Sequence, residues 1–293
     1  MLMHAISPRQ LEVFVAIATA GSVRAASERL FLSQPAASMA LAELERQIGS
    51  PLFARERGRL RLNDRGRELL PLARELIERH AEFGRRAEGS VAELTGDIGI
   101  GASNTVGNYL VGDLLGPFAA EHPGVALRLG VANTARIAQG VLDHDFDIGC
   151  VEGPVNHPAI ESRPWREDRL VVCVRPDHPL AGKARPKREH FAGAHWVLRE
   201  RGSATRALSE RALAALPEGK VVLELDQSEA IKQAVIAGLG IACLPEVAIV
   251  DAVKTGRLVV VPTPFLDLKR MLSILLHRQR YRGAVLEAFL SSL

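Results

Sequence analysis

Apolar residues near the start of the chain recur at spacings of three and four, the pattern of a helix with one buried face. With its capping residues, this pattern predicts three short helices over about residues 8–20, 23–30 and 33–48. Ser33 is suited to cap the third helix, and Pro35 falls in its first turn, where a missing N–H costs nothing. Because a tight turn joins the second and third helices, the segment predicts a helix-turn-helix.

Arginine and apolar residues then alternate over residues 55–62 with a glycine at the bend, which predicts a small β-hairpin, or wing. Asn63 or Asp64 caps a long polar helix that extends to about Glu88, and Pro71 is expected to kink its first turns or to mark its true start. Apolar positions on this helix are separated alternately by four and three residues, which predicts a coiled-coil seam for dimerisation. The seam residues are Leu69, Ala73, Leu76, His80 and Phe83. The alternative is that the seam packs onto the first helix of the same chain.

From residue 96 onward, short apolar strands alternate with helical stretches. Strands are predicted over about residues 97–102, 125–131, 147–151, 170–175, 221–225, 241–244 and 272–277. Helices are predicted between them over about residues 109–122, 135–143, 205–215 and 228–237. This alternation predicts open, mostly parallel sheets with helices on both faces.

Charge is concentrated at one end of the chain. The chain is 47% hydrophobic and 24% charged, which is ordinary for a folded globular protein, and its net charge is only +3. Residues 1–62 carry eight arginines against five glutamates, which accounts for the whole excess. The basic character therefore belongs to the predicted helix-turn-helix, as phosphate binding requires.

The three cysteines, Cys150, Cys173 and Cys243, lie in apolar, strand-like runs. An odd number without paired spacing argues against a disulfide framework and fits a reducing cytoplasm. The N-terminus lacks a basic segment followed by an apolar one, and no apolar run has the length needed to span a bilayer. We expect a cytoplasmic protein without membrane association.

Small polar residues open the predicted third helix and suit a position in the major groove of DNA. Ser33 and Ser38 are able to reach phosphates, and Gln34 to bind an adenine edge or a phosphate. Ala36 or Ala37 is expected to touch a thymine methyl group. The arginines expected to follow the flanking backbone or the minor groove are Arg55, Arg57, Arg59 and Arg61. The alternatives are that Gln34 only caps the helix and that the arginines form a solvated face.

Together these residues closely resemble the LysR-type transcriptional regulators. The matching positions are Arg9-Gln10-Leu11, Gly21-Ser22-Val23, Ala25-Ala26, Leu30, Ser33-Gln34-Pro35-Ala36, Leu44-Glu45, Gly49, Leu52-Phe53 and Arg55. The resemblance implies DNA contacts at Gln34, Pro35, Ser38 and Arg55. It also implies a homotetramer of DNA-binding dimers on an interrupted palindrome of double-stranded DNA, with RNA polymerase as a further candidate partner. One departure is Met39, which stands where many members carry a basic residue.

The expected fold class is α+β and multidomain. A winged helix-turn-helix occupies residues 1–62 and a linker helix residues 63–91. An α/β two-lobed effector domain of the periplasmic-binding-protein type occupies residues 92–293. Lobe I of this domain is expected over about residues 92–163 and 267–293, and lobe II over about 164–266.

Three loops that follow predicted strands combine hydroxyls or amides with free backbone N–H groups, which suits a compact anion. The effector-binding candidates in them are Ser103, Asn104, Thr105, Arg199, Arg201, Gly202, Ser203, Thr205, Gln227 and Ser228. Glu152, which also follows a strand, would repel an anion, so we expect it to pair with Arg199 or Arg201 or to accept a hydrogen bond from a protonated ligand. The alternative is that these residues are ordinary caps and surface arginines.

Several segments of the second half are similar to the family branch that responds to sulfite or related sulfur oxyanions. They are NYL, DIGCVEGP, PWREDRLVV, WVLRERGSATR and QSEAIKQAV. A small organic acid or another metabolite is the alternative effector. A stacked aromatic effector is less well supported, since only 4% of residues are aromatic and Trp165 and Trp196 lie outside the candidate loops.

The rival class is an enzyme, or a small-molecule-binding protein without a DNA role. A hydrolase of the α/β type would need G-x-S-x-G, which is absent, and Gly99-Ile100-Gly101 does not continue as a dinucleotide-binding motif. The nine histidines form no H-E-x-x-H pattern. A solute-binding protein would need a signal peptide. We therefore expect no catalysis, no cofactor and no bound metal.

Overall fold

The structure, a computed structural model, describes residues 6–56, 59–87 and 93–293, without the side chains of residues 55, 56, 59, 85 and 86. The chain forms two compact units. The first comprises residues 1–96, 143–145 and 279–291, and the second comprises residues 97–142, 146–278 and 292–293. No helix in the described part of the chain is both long and apolar enough to cross a bilayer.

The first unit opens with three short helices, a hairpin and a long helix. They are α1 (Pro8–Ala20), α2 (Val23–Arg29), α3 (Gln34–Ile48), β1 (Phe53–Glu56), β2 (Arg59–Leu62) and α4 (Asp64–Ala87). Ser7 and Gln10 form the predicted capping box at the start of α1. Gly21, at φ 70°, ends α1 in a left-handed conformation that glycine adopts without strain. The predicted winged helix-turn-helix is confirmed.

Asn63 is the residue that caps α4, since its Oδ1 accepts from the Gly66 N–H at 2.8 Å. The helix starts at Asp64 and continues through Pro71, so the expectation that Pro71 marks the true start is wrong. Close packing explains why residue 66 is a glycine. A Cβ at this position would lie 2.2 Å from the Leu52 carbonyl oxygen, which fixes how closely α4 approaches the hairpin.

The second unit contributes most of the sheet. Its strands are β3 (Gly96–Ser103), β4 (Val125–Ala132), β5 (Ile148–Glu152), β6 (Ile160–Val174), β7 (His195–Arg199), β8 (Lys220–Leu225), β9 (Ala242–Pro245), β10 (Val259–Val261) and β11 (Lys269–His277). Its helices are α5 (Asn104–Tyr109), α6 (Val111–Glu121), α7 (Thr134–Leu142), α8 (Ala204–Leu213), α9 (Ser228–Ile236) and α10 (Glu246–Lys254), with a short 3₁₀ helix at Arg188–Phe191. The last helix, α11 (Ala284–Ser291), belongs to the first unit.

The structure differs from the sequence prediction at several places. Strands β7 and β10 and helices α10 and α11 lie outside the predicted ranges, and two predicted elements have different bounds. The helix predicted over residues 109–122 corresponds to α6, which starts at Val111 because Leu110, at φ −118° and ψ 6°, separates it from an additional helix, α5 (Asn104–Tyr109). The strand predicted over residues 170–175 is the second half of the long β6. The first half of β6, residues 160–169, is mostly polar and charged and contains Pro164, so it lacks the alternating apolar pattern that identifies a strand.

The prediction of mostly parallel sheets is wrong. The strand order is β10-β6-β11-β5-β3-β4, with β9 also paired to β6, and β7 pairs with β8. The β3–β5 and β7–β8 ladders are parallel, whereas β11 is antiparallel to β5 and β6, and β6 is antiparallel to β9 and β10. The reason is that β6 and β11 pair along their length, from Lys269 opposite Arg169 to His277 opposite Ile160. They join lobe I, which holds β3–β5, to lobe II, which holds β7–β10.

Each lobe has its own core. Lobe II packs apolar side chains on both faces of β6, for example Val172 on one face and Val171 on the other. In lobe I the Phe146 ring is enclosed by three glycines. A Cβ at Gly101, Gly130 or Gly140 would come within 2.7, 2.7 or 2.6 Å of ring atoms, so larger residues do not fit there without displacing the ring.

Candidate DNA-binding surface and effector cleft

The N-terminal turns of α3 form an exposed polar surface. Gln34, Pro35, Ala36 and Ser38 are all exposed. Ser33 is exposed as well, and its hydroxyl accepts from the Ala36 N–H at 3.3 Å, which makes it the N-cap. The structure therefore brings these five predicted residues together at one end of one helix.

Ala37 is fully buried in the core formed with Val13 and Leu41. Ala37 lies on the inner face of α3, so the expectation that it touches a thymine methyl group is wrong. Of the two alanines, only Ala36 is accessible. Met39, in contrast, is 73% exposed. Phe31, in the turn before α3, is 97% exposed and has a φ of 53°.

The structure shows only part of the predicted wing. Arg57 lies outside the described residues, and of Arg55 and Arg59 only the backbone is described, in the β1–β2 ladder. Arg61 is exposed on β2. The hairpin itself is confirmed, and the contacts of these arginines stay a prediction.

The seam on α4 divides into two parts. Leu69 and Ala73 pack in the core with Phe14 of α1, as the alternative to dimerisation predicts. Leu76 and Phe83 are 55% and 74% exposed, and His80 is exposed as well. Only this second part is free to contact another molecule.

The C-terminal segment of the first unit covers a different side of α4. The Tyr281 hydroxyl donates to the Glu82 carboxylate at 2.7 Å, and Arg280 pairs with Glu78 at 3.4 Å. The Arg79 guanidinium lies 4.3 Å from the centre of the Tyr281 ring. These contacts leave Leu76 and Phe83 exposed.

In the effector domain, one guanidinium connects the two lobes. The Arg270 side chain is 5% exposed, and its Nε donates to Asp168 Oδ2 at 2.7 Å. Its Nη1 donates to the Thr205 hydroxyl at 2.9 Å, and its Nη2 donates to the Thr105 hydroxyl at 3.1 Å. Thr105 belongs to lobe I and Thr205 to lobe II. The structure thus brings together two of the predicted loops around Arg270 and Asp168, which the sequence analysis missed.

Glu152 lies at the same cluster and is 3% exposed. Its Oε1 accepts from the Thr105 N–H at 3.3 Å and lies 3.9 Å from Arg270 Nη2, and its Oε2 accepts from the Thr134 hydroxyl at 3.0 Å. The expected pairing with Arg199 or Arg201 is therefore wrong.

Neither Arg199 nor Arg201 lies against Glu152. Arg199 is buried and pairs at 2.8 Å with its neighbour in sequence, Glu200, while its Nη1 donates to the Ser228 hydroxyl at 3.3 Å. The amide of Asn133 in lobe I donates to Glu200 at 3.0 Å and links the lobes a second time. Arg201 is exposed and lines a groove of about 490 Å³ together with Thr134 and Ser203.

The electrostatics of Glu152 follow from this arrangement. Burial raises the pKa of Glu152, but the Arg270 guanidinium and the hydrogen bond from Thr105 outweigh burial and hold the pKa below its ordinary value. The carboxylate is therefore charged at neutral pH. Arg270 is matched by Glu152 and Asp168, and Arg199 by Glu200, so each buried cation of the cluster already has a carboxylate partner.

The remaining candidates fall into two groups. Ser103, Asn104 and Thr105 are buried where β3 ends and α5 begins, and Thr205 and Ser228 are buried in the first turns of α8 and α9. Ser203 is buried as well and caps α8 by accepting from the Arg206 N–H at 3.4 Å. Gly202 and Gln227 are exposed.

Two protein families match this chain. Residues 8–67 match "Bacterial regulatory helix-turn-helix protein, lysR family", and residues 92–293 match "LysR substrate binding domain". The chain belongs to the LysR family of transcriptional regulators. The resemblance seen in the sequence is confirmed at this level.

Individual proteins match this chain over nearly its whole length. The uncharacterised HTH-type transcriptional regulator YeiE of Escherichia coli (strain K12) is 42% identical over 289 residues, which is 98% of this chain and 97% of that protein. Full-length OxyR from Pseudomonas aeruginosa, solved as a cysteine-to-aspartate variant, has the same fold, with a TM-score of 0.78, 24% identity, and coverage of 99% of this chain and 95% of that one.

The regulatory domain of CcmR from Synechocystis PCC6803, solved in complex with 2-PG, matches the effector domain. Its TM-score is 0.62 at 27% identity, and the match covers 67% of this chain and 95% of that one. The predicted two-lobed effector domain of this LysR-family chain is thereby confirmed as a fold.

The cysteines of this regulator are buried core residues. Burial raises the pKa of Cys150 and of Cys243 to about 12 and raises that of Cys173 as well. Cys173 pairs with Ala242 across the β6–β9 ladder, and Cys243 with Val172, so the two thiols face opposite sides of the sheet. They stay protonated at neutral pH, which makes them unreactive towards oxidants.

Proposed function

We propose that this LysR-family regulator binds double-stranded DNA with the exposed end of α3 and the wing, and that a small anion bound between the lobes of its effector domain controls the geometry of that binding. Sulfite or a related oxyanion is the proposed effector. The observation that carries the effector assignment is the Arg270 guanidinium, which donates to a hydroxyl of each lobe, Thr105 and Thr205.

The chemistry of α3 supports the DNA contacts. The exposed Gln34 amide both donates and accepts, as the adenine edge requires, and the Ser38 hydroxyl is one turn further along the same helix. Pro35 and Ala36 offer apolar surface beside them. Arg55, Arg57 and Arg59 are proposed as phosphate contacts of the wing on the sequence pattern alone.

Hydroxyl groups surround the buried charged side chains in the cleft. The hydroxyls of Thr105 and Thr205 accept from Arg270, that of Ser228 accepts from Arg199, and that of Thr134 donates to Glu152. A compact oxyanion accepts from such hydroxyls and from a guanidinium at once. The 2-PG complex of the CcmR regulatory domain supports a ligand of small size.

The carboxylates restrict which anion binds. Because Arg270 is already neutralised by Asp168 and Glu152, an incoming anion competes with a carboxylate for the guanidinium. An anion that still carries a proton avoids part of this repulsion, since it donates to Glu152 while its other oxygens accept from Arg270. A singly charged, protonated oxyanion is therefore the preferred form. A small organic acid satisfies the same geometry and is the alternative.

Isothermal calorimetry of the full-length chain with sulfite, sulfate, phosphate and small carboxylates tests this assignment. We expect one of these anions to bind with a heat that is lost in Arg270→Met. Arg169→Met is the matched control, because Arg169 makes an exposed ion pair with Glu246 outside the cluster, and it should bind as wild type. Absent or equal heats for all anions, or unchanged binding by Arg270→Met, would contradict the proposal.

Oligomerisation would couple the effector domain to DNA binding. The exposed seam residues Leu76, His80 and Phe83 are proposed to pair with a second copy, and two such dimers to form a tetramer on an interrupted palindrome. An anion that alters the closure of the lobes would then change the spacing and the bend of the two half-sites, and with it the contact with RNA polymerase.

A further inference from the structure

The face of α3 that points away from the protein core carries an apolar strip. Ala37, Leu41 and Leu44 form the buried stripe of this helix. At 100° per residue, Met39 lies about 170° from the centre of that stripe and Pro35 about 150°. Met39 thus projects directly outward, with 73% of its surface exposed.

The neighbours of Met39 define a mixed surface. Pro35 precedes it by one turn and Ala42 follows it by one turn, and both are exposed. Gln34 and Ser38 lie along one flank of this strip. The surface therefore has a line of apolar groups beside a line of hydrogen-bonding groups, all on the first turns of one helix.

The major groove of DNA has the matching chemistry. Each thymine presents a 5-methyl group there, beside the donors and acceptors of the base edges. The charge of the domain points to the same partner, since residues 1–62 carry a net charge of +3. Arg24 and Arg46, with side chains 80% and 59% exposed, carry part of it, although each is paired with a glutamate of its own helix. An exposed surface in a domain of net positive charge fits a polyanion better than an apolar protein partner.

We propose that Met39, together with Pro35, binds the 5-methyl groups of thymines in each operator half-site and so sets base preference at those positions. Because the thioether is uncharged and flexible, it gains from burial against a methyl group but gains nothing from a guanine edge or a phosphate. The inference rests on the DNA binding proposed above and adds the base that α3 prefers.

Replacing thymine by deoxyuridine removes only the methyl group, which makes it the direct test. Duplexes selected from a random pool by the full-length protein are substituted one thymine at a time, and affinity is measured by fluorescence anisotropy at constant salt. In wild type we expect about a fourfold loss at one or two thymines of each half-site, the value of one buried methyl group. This loss should vanish in Met39→Ala and remain in Met39→Leu. Leu239→Ala, which truncates another exposed apolar side chain outside the DNA-binding domain, should keep the full loss.

Equal deoxyuridine losses in wild type and Met39→Ala at every thymine would overturn the inference, as would a half-site in which no thymine is sensitive. The two proposals fail separately. If wild type shows no salt-dependent affinity for any duplex, the proposed DNA binding fails. If wild type binds DNA but deoxyuridine costs nothing, only the role of Met39 fails.

Discussion

Removing the Arg270 guanidinium should destabilise the effector domain and make its stability depend on pH in a specific direction. Arg270→Met keeps the volume of the stem but leaves Asp168 and Glu152, with side chains 10% and 3% exposed, without their cation. Removing one partner of a buried ion pair costs about 3–5 kcal/mol, since the remaining charge stays buried. We expect that loss in the free energy of unfolding near pH 7.

The pH dependence follows from the pKa of Glu152. In wild type this pKa is below its ordinary value of 4.5, so the stability that the carboxylate contributes is present above that pH and is lost as pH falls through the folded-state pKa. In Arg270→Met, burial is the dominant influence and raises the pKa, so the charged carboxylate is a penalty that disappears as pH falls. The deficit of the variant should therefore shrink on acidification towards about pH 5.

Urea denaturation of both proteins near pH 7 and at about pH 5 measures these differences. Adding Glu152→Gln to Arg270→Met should recover part of the loss near pH 7, because it removes one of the two unpaired charges. Arg169→Met is the control, and it should change the free energy of unfolding far less, since its ion pair with Glu246 is exposed to solvent. A cost for Arg270→Met no larger than this control, or a deficit that is the same at both pH values, would show that Arg270 does not neutralise these buried carboxylates.

Three further predictions concern the first unit. Phe31→Asn should raise the free energy of unfolding by about 1 kcal/mol, because asparagine tolerates the left-handed backbone at φ 53° and the ring is 97% exposed; a lower thermal midpoint would contradict this. Gly66→Ala should cost about 1–3 kcal/mol, since its Cβ would lie 2.2 Å from the Leu52 carbonyl oxygen, and an unchanged denaturation midpoint would show that the helix and hairpin separate easily. Phe83→Glu should shift the sedimentation profile towards smaller assemblies at micromolar concentration, because the side chain is 74% exposed on the seam; an unchanged profile would remove Phe83 from the dimer contact.

The helix-turn-helix was predictable because its signals are local. Ser7 and Gln10 cap one helix, Gly21 ends it, and Ser33 starts the helix that carries the DNA-binding candidates. Each of these residues acts within one helical turn, so neighbours in sequence are sufficient to identify its role. Ala36 and Ala37 are both small and are adjacent in sequence. The structure was therefore needed to show that Ala36 lies on the outer face of α3 and Ala37 on the inner face.

The effector cleft was only partly predictable, because its partners are distant in sequence. Thr105 and Thr205 were found from the loop pattern, but Arg270, which joins them, lies on a strand 65 residues after Thr205. Nothing local distinguishes its guanidinium from a surface one. The contact between Glu200 and Asn133, which are 67 residues apart, similarly depends on the fold.

The seam on α4 was also only partly predictable from the sequence. Its spacing identifies an apolar line but not what covers it. The structure assigns Leu69 and Ala73 to the core of the same chain and leaves Leu76 and Phe83 exposed. Spacing alone therefore overestimates the length of helix available to a second copy.

An anion held by Arg270 should change how this regulator lies on DNA. Footprinting and bend-angle measurement on the DNA upstream of its gene, with and without sulfite at a concentration that calorimetry shows to be saturating, tests it most directly. We expect a shorter or longer footprint and an altered bend with bound sulfite, and no change in Arg270→Met. Identical footprints and bend angles for the free and the sulfite-bound protein would contradict it.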